Sequence, residues 1–359
     1  MSNPTVKIVA ETLAGVKICE FQNAKRKTFT KFLSSVGELV FDLKYDDVKF
    51  ANLTGIKSVL KVYRNGTAIW AGNYDYLSES KNGYSVFASS FERLLSDYLV
   101  EPTVAATSTS RLFTSKKLGT EMAQVLFEEA KAKTDSNLST FTVGTIENPY
   151  TPSTTTEMSE SMEFDYNSTF EAIKSIAYAG KADFEITPAK VFNFYRRKGV
   201  DKPNIVFRLK GNEPSNITNY KREVDYRSIG NKIYAFGVGT KVNFLKSTQT
   251  DATSQTTYGL IERNLGIPKS LVDQEVLDKL TAERIKVTKN PTDILSPTVV
   301  IRSGGIDLFD GWDLGDNARI IISRGLTSID KYMRIIGVQV SYSDTGAENV
   351  YIYLQEKES

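Results

Sequence analysis

Two Asn-Gly pairs, Asn65-Gly66 and Asn82-Gly83, lie between runs of alternating residues and constrain this chain more than any other feature. Asn-Gly tolerates the positive φ angles of a type I′ turn, whose twist matches that of two paired strands. The flanking runs are Val59-Leu60-Lys61-Val62-Tyr63 to Ala68-Ile69-Trp70, and Tyr74-Asp75-Tyr76-Leu77 to Tyr84-Ser85-Val86-Phe87. They read as two consecutive hairpins. Upstream, Leu39, Phe41 and Leu43 alternate with Glu38, Asp42 and Lys44, the two-residue period of a half-buried strand. Residues 1–100 are therefore predicted to form an antiparallel meander or small barrel.

The pattern then changes. Residues 101–110 are small and polar, and a helix is expected from about Lys117 to Lys133, with Met122, Val125, Leu126 and Ala130 at 3.6-residue spacing. Thr151 to Thr156 reads as a loop. Ser168-Thr169-Phe170-Glu171 fits a capping box opening a second helix, with Phe170, Ile173 and Ala177 as its apolar stripe and Gly180 as its stop. Strands are expected at Ala182–Thr187, Val191–Arg196 and Ile205–Leu209, completing an α+β middle domain over 101–215.

In residues 216–359 a strand pair, Ile217–Tyr226 and Lys232–Val238, precedes a polar stretch, Ser247–Thr257, that reads as a mobile loop. A helix capped by Asp273 should run to about Val287 with Val276, Leu277 and Leu280 inward. A last meander follows at Thr298–Arg302, Ala318–Ser323, Tyr332–Tyr342 and Val350–Leu354, turning at Asp344-Thr345-Gly346. The two end regions carry hairpins of comparable length, which hints at an internal duplication. At 359 residues the chain is long enough for two or three packed units.

Histidine is absent and Cys19 is the single cysteine. This removes the commonest general base, the usual partner of a Ser or Cys nucleophile, intrachain disulfides and Cys-based zinc sites. Cys19, within Val16-Lys17-Ile18-Cys19, is expected to be a small buried thiol. The 45 basic and 43 acidic residues differ by +2, which argues against nucleic acid as a main partner, and Lys25-Arg26-Lys27 is too short to alter this. No apolar run reaches the ~18 residues that cross a bilayer. Met-Ser-Asn-Pro-Thr lacks the pattern of a secretory signal, so folding in a cytoplasm is expected.

Known catalytic patterns fail one by one. Gly237-Val238-Gly239 could begin a dinucleotide fingerprint, but position 242 is Val and a polar loop follows. Ser303-Gly304-Gly305 has no base to activate the serine. Asp307, Asp310, Asp313 and Asp316 cluster around Trp312, superficially like a glycosidase or calcium site. Asp310-Gly311 and Gly315-Asp316 instead favour turns. No catalytic, cofactor-binding or metal-ligating residue is assigned, and no partner-binding residue either. Tyr351 and Tyr353 lie on the strand face opposite Val350, Ile352 and Leu354, where tyrosines favour protein contact or sugar stacking.

Three stretches, in order, cover nearly the whole chain. The first is Val62 to Gly72, where Arg64-Asn65-Gly66 leads into a strand ending Trp70-Ala71-Gly72. The second is Phe164 to Ile173 followed by Gly180 to Ile186, a capped helix feeding a strand. The third is Trp312-Asp313-Leu314-Gly315-Asp316, then Arg334-Ile335-Ile336-Gly337-Val338 and Asn349 to Leu354. Together they resemble the baseplate hub family of phages and the related minor tail proteins of siphophages. The resemblance implies a β-rich α+β fold with two antiparallel β-barrel-like hub domains, 1–100 and 216–359, and an α+β region between and around them. The second hub domain would carry an inserted helix at about 273–287, and the barrels could share strands across these boundaries. It implies no cofactor and a homotrimer, in which two barrels per chain give six quasi-equivalent seats for a six-fold tail tube. The implied partners are the distal tail protein, the tape-measure protein, the tail tube and fibre or receptor-binding proteins, with DNA passing through the lumen without sequence-specific binding. The implied location is the tail tip of a virion assembled in the host cytoplasm. Many such hubs continue into a hydrolase or fibre region, whereas this sequence stops soon after its last strand. Other readings are a tail-tip adhesin or carbohydrate-binding protein using Trp312, the hub of a phage-derived contractile injection particle, and a histidine-free glycosidase.

Overall fold

The structure is a computed structural model that describes residues 4–45, 47–102, 110–151, 156–210, 215–237, 244–266, 274–299, 307–325, 327–343 and 347–356. It is β-rich and divides into two compact units, Met1–Tyr220 with Pro297–Ser359, and Lys221–Ser296. The first unit opens with β1 (Val6–Thr12), β2 (Lys17–Phe21), β3 (Lys25–Phe32), β4 (Glu38–Leu43), β5 (Ser58–Arg64), β6 (Thr67–Ser80) and β7 (Gly83–Ser90). Leu39, Phe41 and Leu43 face inward, as their alternation predicts.

The first Asn-Gly pair forms the expected turn: Asn65 and Gly66 have φ of 50° and 86°, and Arg64 pairs with Thr67. The second does not. Ser80 pairs with Gly83, so the two-residue loop is Lys81-Asn82 and Gly83 begins the next strand. Glycine is required there for a different reason, since a Cβ at Gly83 would lie 2.2 Å from the Leu43 carbonyl oxygen. The two expected hairpins also share one continuous strand, the 14-residue β6, and so form a single meander.

Next come β8 (Arg111–Lys117), α1 (Gln124–Ala132), β9 (Thr142–Ile146), β10 (Ser159–Phe164), α2 (Thr169–Gly180), β11 (Asp183–Ile186), β12 (Val191–Tyr195) and β13 (Asp201–Lys210). A π-helical turn, Leu118–Ala123, leads into α1. Its free Gly119 and Thr120 N–H groups both donate to the Asn148 side chain, a cap supplied from a remote loop. At α2 the Ser168 hydroxyl accepts from the Glu171 N–H, as the capping box predicts. Lys181, with φ 50°, rather than Gly180 makes the left-handed stop. Gly180 is instead the last helical residue, where a Cβ would press into Pro149 and Leu118. Met122, Leu126 and Ala130 of the first helix join Phe170, Ile173 and Ala177 of the second in one core over Phe184, Phe192 and Phe194.

The chain continues through β14 (Ile217–Asp225), β15 (Lys232–Phe236), β16 (Lys246–Thr250), α3 (Ala252–Tyr258), β17 (Glu262–Asn264), α4 (Gln274–Thr288) and β18 (Thr292–Val299). In the second unit β15 pairs antiparallel with β16 and parallel with β17, not with the preceding strand as the sequence suggested. Asp225 caps a short turn, Tyr226–Ser228, that separates them. The polar stretch expected to be mobile is ordered as β16 and α3. Its hydroxyls and carboxylate satisfy the backbone: Asp251 accepts from Ser254 N–H at 2.8 Å, and Asp251 pairs with Lys289 at 3.1 Å. Buried Asn231 accepts from the Ile261 N–H and donates to the Gly259 carbonyl, fixing the other end of the helix.

Back in the first unit, β19 (Asn317–Arg324), β20 (Thr327–Tyr342) and β21 (Glu348–Glu356) form the expected final meander, with Val338, Val340 and Tyr342 buried. The first half of β20 pairs with β19 and its second half with β3, while β21 flanks it. The strand order in this unit is β2-β1-β5-β6-β7-β4-β3-β20-β21, with β19 on β20 and β13 parallel on β19. The path does not return on itself. Among the described residues no ring of strands closes, and the two expected barrels are stretches of one open sheet joined at β3 and β20. The segments 103–109, 152–155, 238–243, Asp273, 300–306 and Asp344-Thr345-Gly346, for which loops, a cap, a strand or turns were expected, lie outside the described residues.

Gly72 marks the closest crossing in the N-terminal meander: a Cβ there would meet the Ser89 carbonyl oxygen at 2.0 Å and the Trp70 ring at 2.6 Å. Gly72→Ala is expected to destabilise the fold by about 2 kcal/mol or more, because backbone and a buried ring must both move. Urea unfolding of the two proteins checks this.

Candidate functional site

The aspartate loop between β18 and β19 was the one stretch with carboxylate density, and its geometry shows what those carboxylates do. Asp316 is buried; it accepts from the Val200 N–H at 2.8 Å and the Asp313 N–H at 2.9 Å. Asp313 accepts from Lys198 Nζ at 2.9 Å and faces Lys31 Nζ at 3.5 Å. Asp307 pairs with Arg64. Asp310 is exposed, in a turn whose N–H returns to the Asp307 carbonyl. Burial pushes the Asp313 carboxyl up, but Lys31 and Lys198 outweigh it and hold it below the usual range. A general acid needs the opposite shift. Among the described residues no group of three His, Cys, Asp or Glu side chains could hold a metal ion. Trp312 is only 3% exposed, its indole N–H donates to the Asp307 carbonyl, and Phe207 meets its ring edge-on at 6.0 Å. It offers no face on which a sugar could stack.

The aspartates belong to a larger network. Lys198 Nζ lies 2.8 Å from Glu185, which sits on β11 beside Asp183. Asp183 pairs with Arg334 of β20, and Arg334 also donates to the Lys198 and Gly315 carbonyls. Backbone follows backbone at this point: a Cβ on Gly199 would lie 2.1 Å from the Gly315 carbonyl carbon. A second node is Arg64, 7% exposed, which grips Glu348 of β21 with Nε at 2.8 Å and Nη2 at 3.0 Å. Sequence reading missed Arg64, Lys198, Asp183, Glu185, Arg334 and Glu348, because partners up to 284 residues apart leave no local spacing. The available signal was Asp183 and Glu185 within an otherwise apolar strand, Asp183-Phe184-Glu185-Ile186. Removing one member of a buried pair strands the other charge. Lys198→Met should cost about 3 kcal/mol, mainly through Glu185 since Asp313 is partly in solvent. Chemical denaturation at neutral pH measures it.

A pocket of about 20 Å³, room for one water, lies between Lys31, Trp70, Glu92 and Ile186. Glu92 accepts the Ile186 N–H at 2.7 Å, and burial pushes its carboxyl above the ordinary range. Between that range and the raised value, the folded chain keeps a proton that the unfolded chain has released. Stability therefore falls as pH rises through this window. Glu92→Gln retains the acceptor without the charge. It should flatten the fall in stability as pH rises above the ordinary carboxyl range, as read from denaturation at several pH values. Cys19 is half-buried rather than enclosed, its thiol 3.9 Å from the Lys49 carbonyl and pushed up by partial burial. Tyr351 is exposed, and Tyr353 partly so, on the face opposite buried Val350, Ile352 and Leu354.

No model of a known protein family matches the sequence, and no curated protein matches it. Solved structures do match, along nearly the whole chain. The fold is that of phage tail proteins. The tail protein from Neisseria meningitidis MC58 is 14% identical with a TM-score of 0.66, covering 98% of this chain and 97% of that one. The 43 kDa tail protein of prophage MuSo2 from Shewanella oneidensis is 15% identical with a TM-score of 0.63, covering 98% of each chain. Prophage tail protein gp18 from Listeria monocytogenes EGD-e is 15% identical with a TM-score of 0.59, covering 98% and 95%. At these identities the likeness is one of fold, and at that level the resemblance drawn from the three sequence stretches holds.

Proposed function

We propose that this chain is a structural component of a phage-type tail, the hub at the tail tip, and that it works through its interfaces. The observation that carries this reading is the likeness of fold to tail proteins over 98% of the chain. The use of Asp307, Asp313 and Asp316 in turns and ion pairs supports it, since their geometry builds structure rather than a reacting centre.

In this proposal the N-terminal strands (1–100) and C-terminal strands (216–359) supply two similar β-elements per chain, joined through β3 and β20, with the α+β part (101–215) beside them. Three chains then offer six equivalent seats to a six-fold tail tube. The ring caps the tube, anchors distal tail, tape-measure and fibre proteins, and opens for DNA ejection, after assembly in the host cytoplasm. The absence of histidine and the net charge of +2 fit an assembly part better than a hydrolase or a nucleic-acid reader.

Light scattering on the purified protein should give three times the 40.0 kDa chain mass. Antibody labelling of tail particles should fall at the tip. A chain that stays single at all concentrations and is missing from purified tails would overturn the reading.

A further inference from the structure

The strand β11 ends the small sheet β11-β12-β9, and among the described residues no strand pairs with its outer edge. N–H groups of alternate residues point to the same edge of a strand. On this edge the Phe184 N–H donates to the Ser34 hydroxyl at 3.0 Å, and the Phe184 carbonyl accepts from the Ser34 N–H at 3.1 Å. Two residues on, the Ile186 N–H donates to the Glu92 carboxyl at 2.7 Å. Two side chains from the first hundred residues thus cap the edge. One is a hydroxyl that keeps its form at any ordinary pH, and the other is a carboxyl that does not. Glu92 is the second residue of a 3₁₀ turn, Phe91–Asp97, and is 5% exposed. Buried Glu11, Asp183, Glu185 and Asp316 each have a lysine or arginine partner, whereas Glu92 has none among the described residues.

We infer that Glu92 is a proton-operated latch on the free edge of β11, closed while its carboxyl is protonated and released when it ionises. The latch does not depend on the hub reading. Its surroundings decide its sense. The Ser90 side chain, which bonds Glu92, also accepts the Gly37 N–H at 2.8 Å, so protonated Glu92 completes a chain from the β3–β4 turn to β11. Once ionised, the carboxylate faces a like charge, Glu185 of β11. The cation on the wall of the adjoining cavity, Lys31 of β3, is already shared between Glu185 at 4.0 Å and Asp313 at 3.5 Å. Arg93 and Asp97 of the same turn pair at 3.0 Å, and Arg93 also meets Asp75 of β6 at 3.5 Å. The helix α2, packed on the turn, keeps its titratable Glu171, Lys174 and Tyr178 exposed. One charge-assisted hydrogen bond from Ile186 returns less than the burial of an unpaired charge costs. Parting the strand edge and hydrating the carboxylate is the lower-energy course, and the cavity has room for the first water. The strand stays tied at its other end, where Asp183 pairs with Arg334, so the opening is local. A chain without histidine has no imidazole to change charge near neutrality, and burial moves this carboxyl toward that range.

The test is amide hydrogen exchange in the full chain, read residue by residue by NMR at a series of pH values above the ordinary carboxyl range. Opening releases one proton and is therefore favoured as pH rises. Protection at Ile186, corrected for the intrinsic exchange rate, should fall about tenfold per pH unit until Glu92 is fully ionised. Phe184, held on the same edge by a hydroxyl, should keep its protection. Glu92→Gln retains the acceptor without the charge and should leave Ile186 protected throughout. Protection at Ile186 that does not change with pH overturns the latch. A fall shared equally by Phe184 also overturns it, because that marks a loss of stability in the whole fold. So does a fall that persists in Glu92→Gln. Should that variant fail to fold, the comparison of Ile186 with Phe184 in the parent decides alone. None of these results bears on the oligomer mass that tests the hub reading.

Discussion

The ladder between β3 and β20 is the connection on which the first unit depends. It pairs Lys27 through Phe32 with Tyr342 through Gly337 and so turns two meanders, one from each end of the sequence, into one sheet. Gly337 makes the ladder possible: a Cβ there would lie 2.3 Å from the Phe32 ring. The charged clamps sit close to this junction. Arg64 ties β5 to Glu348 on β21, and Arg334 ties β20 to Asp183 on β11. Both are buried pairs, worth little as net stabilisers but costly to break, which favours one register over its neighbours.

Charge is thus distributed with a purpose. Inside, Lys198, Glu185, Asp313, Asp183 and Arg334 hold the crossing of two loops whose backbones touch at Gly199 and Gly315. Asp183, Glu185, Asp313 and Asp316 are committed to cations or backbone N–H groups, while buried Glu92 accepts the Ile186 N–H and is pushed above the ordinary carboxyl range by burial.

Local structure was legible in the sequence where local physics decides it. The alternation at Leu39, Phe41 and Leu43, the Asn65-Gly66 turn and the Ser168 cap all depend on neighbours within a few residues. Reading failed where a distant partner decided the outcome. Gly83 is glycine because β4 passes against it, not because it turns the chain. The stretch Ser247–Thr257 looked too polar to order, yet Asp251, Ser254 and Asn231 satisfy one another's backbone needs. Its hydrogen-bond partners, not its hydropathy, set its fate. The aspartate cluster was correctly weighed as turn-forming, but its ion-pair partners Lys31, Lys198 and Arg64 lie far away in sequence and could not be foreseen.

The β3–β20 pairing also has a consequence for biosynthesis. As the chain leaves the ribosome, β1 to β7 can pair among themselves early, but β3 keeps one unpaired edge until β20 appears about 300 residues later. An open edge of a growing sheet invites pairing with other chains. Long-range closure of this kind is slow, because loop entropy opposes it before contacts repay it. Lys25, Arg26 and Lys27 at the start of β3, an ordinary solvated run in the finished molecule, would guard that edge while it waits.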